Sequence, residues 1–142
     1  MATHRAAIII DAPAPAVFEA LTKPELVKLW QFNKEVITDW KTGSEIKFRV
    51  ELEGKVLEQW GTILEMRVNE LVKYNLFTPQ TDKEDKIENY NVTSYLLTEQ
   101  NGQTNVEIIQ EDNRATGFIP VNLTPVIAGL KKVVENNLLI KQ

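Results

Sequence analysis

Cysteine is absent from the 142 residues. Disulfides, thiolate metal sites and cysteine nucleophiles are thereby excluded. Histidine occurs once, at His4, which excludes a two-histidine metal site or a buried histidine proton relay. No metal or cofactor is expected. No apolar run approaches the roughly 20 residues of a membrane span, and the start MATHRAAIIIDA lacks a long apolar run behind a basic end. Neither a signal peptide nor a membrane partner is expected. Positive charge is not in excess: 16 Lys and Arg stand against 20 Asp and Glu. That balance offers no broad attraction for nucleic acid or anionic lipid. The default expectation is a cytoplasmic protein, monomeric or a weak homodimer. A Gly-rich phosphate loop, a Ser-His-Asp set and a basic aromatic stripe are also missing.

What is present is a globular composition, with 43% apolar and 25% charged residues. A chain of this size buries roughly 70% of the surface its unfolded form exposes. No repeat or linker divides residues 1–142, so one domain is expected. His4 to Asp11 reads as an Ile-rich strand, broken by Ala12-Pro13-Ala14-Pro15. Val17, Phe18 and Leu21 fall at helical spacing. Thr22-Lys23-Pro24-Glu25 matches a capping box with proline in the first turn. It predicts a second short helix with Leu26, Leu29 and Trp30 on one face.

From Glu35 to Gln110 the period changes to two. Glu45 to Leu52 alternates, and Glu53-Gly54 turns the chain. Val56 to Val68 predicts a long strand with Trp60, Leu64, Met66 and Val68 on one face. Leu71 to Phe77 alternates again. Pro79 to Lys86 reads as a solubilising acidic loop. Ile87 to Thr98 and Thr104 to Gln110 flank Asn101-Gly102, a strong hairpin signal. Finally, Thr124 to Ile140 predicts a helix with Pro125 in its first turn. Its stripe is Val126, Ile127, Leu130, Val133, Val134 and Leu138, with Lys131, Lys132, Glu135 and Asn136 facing water. Gly129 inside it is expected to serve close packing against the sheet.

An antiparallel sheet with one apolar face must cover it, and the C-terminal helix is the long amphipathic element available. One helix cannot fill the concavity of a bent sheet, so a ligand cavity beside the helix is expected. The fold class is α+β: a curved antiparallel sheet of six to seven strands around a long C-terminal helix, with two short helices after the first strand.

That order carries a resemblance. IDAPAPAVFEALTKPELVKLW resembles the start of the SRPBCC (START-like, helix-grip) superfamily. EGKVLEQWGTILEMRVNELVKYNL is similar to the activator of heat shock protein 90 ATPase homologue family: a glycine ahead of an alternating strand, a short turn, then a strand with leucine and tyrosine. GQTNVEI and GLKKVVEN fit as well. Many members place a histidine and then a glycine-aromatic pair before the last helix. Here Gln110-Glu111-Asp112-Asn113-Arg114 has no histidine, while Gly117-Phe118 keeps the pair.

The resemblance implies an internal cavity taking a small apolar or aromatic molecule. Its expected lining is Phe18, Trp30, Phe48, Trp60, Leu64, Tyr74, Tyr90, Val92, Val106, Phe118, Ile127 and Leu130. It also implies two alternatives: a chaperone partner, as in relatives that carry a further N-terminal domain, and a cyclase or hydrolase-like enzyme. An enzyme would need an acid, a base or a polar orienter in the cavity. The residues offer tyrosines, and Arg49 or Glu51 near a rim. No catalytic residue is assigned. Glu51, Glu53 and Glu58 read as a solvated strand end, and the sequons at Asn91 and Asn122 as chance matches.

Overall fold

Two β-turns with unusual backbone set the architecture. Asn101 and Gly102 both have positive φ, 56° and 79°, the conformation that matches the twist of a two-residue hairpin. Gln100 therefore faces Gln103, and the pairing runs back to Asn91 opposite Asp112. Glu53 and Gly54 (φ 51° and 79°) do the same for the pair that begins at Leu52 opposite Lys55.

The computed structural model describes residues 2–31, 33–79, 84–112 and 123–140. The chain runs through strand β1 (Ala2–Ile10), helices α1 (Ala14–Thr22) and α2 (Pro24–Trp30), and strands β2 (Glu35–Ile37), β3 (Glu45–Leu52), β4 (Lys55–Arg67) and β5 (Leu71–Leu76). It continues through β6 (Asn91–Gln100) and β7 (Gln103–Asp112) to helix α3 (Thr124–Ile140). The seven strands form one antiparallel sheet in the order β1-β7-β6-β5-β4-β3-β2. This is the expected α+β helix-grip arrangement, with α3 at the expected bounds.

α3 buries Ile127, Leu130 and Val134 against the sheet core and packs on β1, α1 and α2. Ile10, Val106, Ile108 and Leu130 are 1% exposed or less, so this end of the concave face is dry. Two polar residues of α3 also work: Lys131 Nζ donates to Ile9 O at 3.0 Å and to Glu135 Oε2 at 2.6 Å, and Asp11 N donates to Glu135 Oε2 at 2.9 Å. These residues clamp the helix to the first strand rather than simply face water. Lys131 holds the Glu135 carboxyl below its ordinary pKa.

Several local expectations are corrected. Thr22 does not cap α2, because its hydroxyl donates to Phe18 O in the preceding helix at 2.9 Å; Lys23 takes the N-cap place without a side-chain bond. α1 is capped from outside, by Glu99 Oε1 accepting from Ala14 N at 2.6 Å. On α2 the buried face is Leu26, Val27 and Trp30, while Leu29 is 68% exposed. Val68 is 75% exposed. A methyl group at Gly129 would sit 3.8 Å from Trp30 Cβ and Trp30 O. That is ordinary contact, and with α2 rather than the sheet, so packing does not demand glycine there.

At Gly61 it does. A Cβ there would lie 1.8 Å from Asn75 O. β4 and β5 crowd together at this point, and Thr62 N bonds the Asn75 side chain at 2.8 Å. The register slips between Ile63 and Glu65. Such a bulge shifts the side-chain phase of the strand. Gln59, Gly61 and Ile63 face inward before it and Met66 after it, so an uninterrupted even-numbered face from Trp60 to Val68 does not exist.

Candidate functional site

The concave face carries a row of aromatic rings. Trp30 meets Tyr95 edge-on at 5.9 Å, Tyr95 lies 6.4 Å from Tyr74, and Tyr74 lies 5.7 Å from Phe48. Each spacing is within the range of favourable ring pairs. The row links α2 to β6, β5 and β3. Trp30 Nε1 is satisfied by Ala20 O at 2.8 Å. The Tyr74 hydroxyl has the Tyr95 hydroxyl and the Gln31 amide as hydrogen-bonding neighbours. Burial pushes the Tyr74 pKa up to about 12 and that of Tyr95 well above its ordinary value, so both stay neutral and protonated near pH 7.

Two hollows adjoin this row. The inner one, about 140 Å³, lies among Gln31, Tyr74, Tyr95, Asn91, Thr93 and Gln110, closed by Ile108, Leu123 and Val126. Its wall is more polar than expected for a helix-grip interior. Asn91 Oδ1 is buried there without a hydrogen-bond partner among the described residues. The outer one is an open groove of about 580 Å³. Phe48, Val50, Leu52 and Leu57 on the inner face of the β3–β4 hairpin form its apolar wall, joined by Val56, Trp60, Thr78 and Pro79. Lys34 and Gln59 border both hollows. Lys34 Nζ donates to Gln59 Oε1 at 3.1 Å, and Gln59 Nε2 donates to Thr78 Oγ1 at 2.7 Å. This chain orients the Gln59 amide and seats the ammonium where the two spaces meet. Burial lowers the Lys34 pKa.

Of the expected lining, Tyr74 borders the inner hollow, and Phe48 and Trp60 border the groove. Trp30 reaches the site through its contact with Tyr95. Phe18, Val106, Ile127 and Leu130 belong to the packed core and border neither hollow. Phe118 lies outside the described residues. Leu64, Tyr90 and Val92 are misplaced by the expectation. Leu64 sits at the β4 bulge, 37% exposed. Val92 alternates with the inward Asn91 and Thr93, and so points to the other face of the sheet.

Tyr90 belongs to a second cluster away from the concave face. Its ring is 5.5 Å from Phe77, which is 5.6 Å from Trp60. Asp85 joins them, accepting from Trp60 Nε1 at 3.0 Å and from the Tyr90 hydroxyl. The acidic loop is therefore partly structural. Burial and then the Asp85 carboxylate push the Tyr90 pKa up to about 12. Glu51 and Glu53 are exposed at the hairpin tip, and Glu58 borders the groove with Lys47 3.9 Å away.

Tyr95, Gln59, Lys34 and Asn91 were missed as site residues, though the turns carried a signal for three of them, Asn91 sharing the phase of Tyr95 on β6. Counting back from Asn101-Gly102 places Tyr95 opposite Ile108, and counting back from Glu53-Gly54 places Gln59 opposite Phe48. Lys34 had no such signal, because it leaves α2 through an irregular turn in which Asn33 has φ 66°. Among the described residues no cluster of His, Cys, Asp or Glu could hold a metal ion, and no helix is long and apolar enough to cross a membrane.

Comparison with known proteins agrees with this fold. The solution structure of ChR145 from Cytophaga hutchinsonii matches with a TM-score of 0.75 and 32% identity over 97% of each chain. The crystal structure of MLL2253 from Mesorhizobium loti matches with a TM-score of 0.72 and 18% identity, over 95% of this chain and 98% of that one. The Bet v1-like protein Ara h 8.0201 shares the fold, with a TM-score of 0.70 and 13% identity over 97% of each chain. No curated protein gives a significant sequence match. The family model for "Activator of Hsp90 ATPase homolog 1-like protein" matches residues 11–135. With the strand order, the two short helices and the helix-grip packing all in place, the chain belongs to that family, within the SRPBCC superfamily.

Proposed function

We propose that this protein binds a small, largely apolar molecule and holds it without turning it over. The observation that carries the reading is the apolar groove of about 580 Å³, which shares the bordering residues Lys34 and Gln59 with a polar inner hollow. Small-molecule sites typically enclose about 300–1,000 Å³, mostly apolar with a few convergent polar groups. The groove is on that scale and the inner hollow alone is not. The ligand body then lies along Phe48, Val50 and Leu57, with one polar end toward Lys34 and the tyrosines. The neutral tyrosine hydroxyls suit orientation better than proton transfer near pH 7, which favours binding over catalysis.

Titration with Nile red, an uncharged apolar dye, tests this. Fluorescence should rise and saturate with the wild-type protein. Val50→Arg, which puts a charged side chain into the groove, should weaken the binding at least tenfold while the thermal transition is retained. Binding unchanged by Val50→Arg would place the site elsewhere. No binding by the wild type would refute the reading.

A further inference from the structure

Lys34 has an unusual setting for a lysine. Its ammonium carries three donors, yet its one hydrogen bond among the described residues goes to a neutral acceptor, Gln59 Oε1. No carboxylate pairs with it among the described residues, whose ion pairs lie elsewhere. It is part-buried, and a cation held away from water without a counter-charge is costly unless a partner arrives. Its position is the junction of the two hollows.

We propose that Lys34 is an anion anchor, and that the ligand is an amphipathic monocarboxylate. Its apolar body lies in the groove, and its carboxylate accepts from Lys34 Nζ. This rests on the binding reading above and names the ligand class. A single cation beside neutral amide and hydroxyl groups suits one negative charge; a phosphate dianion would be left half compensated. Gln59 supports the geometry, since its amide is fixed by Thr78 at 2.7 Å and holds Nζ from one side, leaving the other donors for the ligand. Burial, the one cause lowering the Lys34 pKa, would be offset by the bound carboxylate.

The test compares decanoate with decanol, equal in chain length and different in charge, by displacement of Nile red at pH 7. Decanoate should bind at least tenfold more tightly than decanol to the wild type, the scale of one charge-assisted hydrogen bond. Lys34→Met should abolish that preference, weakening decanoate far more than decanol, and Lys34→Arg should retain it. Thermal melts of both variants check that the fold survives. Equal binding of the two probes to the wild type, or a preference that persists in Lys34→Met, would overturn the anchor while leaving the groove as a binding site. Failure of both probes to displace a dye that itself binds would overturn the anchor alone; failure of the dye to bind would overturn the groove as well.

Discussion

The two ends of the concave face are built from similar apolar residues and end in different states. Under α3, Ile10, Val106, Ile108 and Leu130 are sealed from water, at 1% exposed or less. On the β3–β4 hairpin, the inner-face residues Leu52 and Leu57 stay 54% and 50% exposed. Strand propensity does not separate the two ends. The difference is cover: the helix packs on β1, α1 and α2, and the hairpin projects beyond it. A sheet of seven strands exceeds what one helix can seal, and the uncovered remainder is the groove. The lesson is that an open apolar groove arises where packing runs out.

That contrast can be broken most strongly at the sealed end. Leu130→Asp buries a carboxylate with no partner at the centre of the α3 stripe. It should cost several kcal/mol, about 4 or more, and abolish the cooperative thermal transition. A melt within a few degrees of wild type would show that α3 does not seal the sheet. At the seam between the two ends, Gly61→Ala should cost about 3 kcal/mol by urea unfolding, because its methyl meets the Asn75 backbone and only a strand shift relieves the overlap.

Next in size is a pH effect at the boundary between core and site. Tyr74 has its pKa raised to about 12 by burial, against roughly 10 in the unfolded chain. Above pH 10 the unfolded chain releases a proton that the folded protein keeps. The contribution of Tyr74 is complete below pH 10 and is lost as pH rises toward 12, about 2 to 3 kcal/mol in all. Urea midpoints measured from pH 9 to pH 12 should fall for the wild type, and less steeply for Tyr74→Phe.

Smaller still, Gly129→Ala should stabilise the protein by up to about 1 kcal/mol, since the helix gains propensity and the methyl finds ordinary contact distance. A loss of stability would mean that α2 and α3 approach more closely than the described 3.8 Å. At the open end, Leu57→Asp should change stability by no more than about 0.5 kcal/mol, as exposed sites generally do. Nile red affinity should nonetheless fall. The pairing of negligible stability change with lost binding is what distinguishes the open end from the sealed one.

By itself the sequence determined the element order, the α3 stripe from Val126 to Leu138 and the two hairpin turns. These are local properties: helical period, alternation, and the left-handed backbone that Asn-Gly and Glu-Gly permit. It even contained the register of β6 on β7, from which the inward Tyr95 and outward Val92 follow by counting. Composition alone did not expose that register, because both phases of Asn91–Leu97 mix polar and apolar residues: Asn91, Thr93, Tyr95 and Leu97 on one, Val92, Ser94 and Leu96 on the other. Only the tertiary structure decided the rest. The bulge beside Leu64 depends on how closely Gly61 passes Asn75, a contact between two strands, and it moves Trp60 out of the concave row. The place of Lys34 depends on α2, β4 and the end of β5 meeting. Among the described residues no carboxylate pairs with it, and sequence spacing records neighbours along the chain rather than pairings in space.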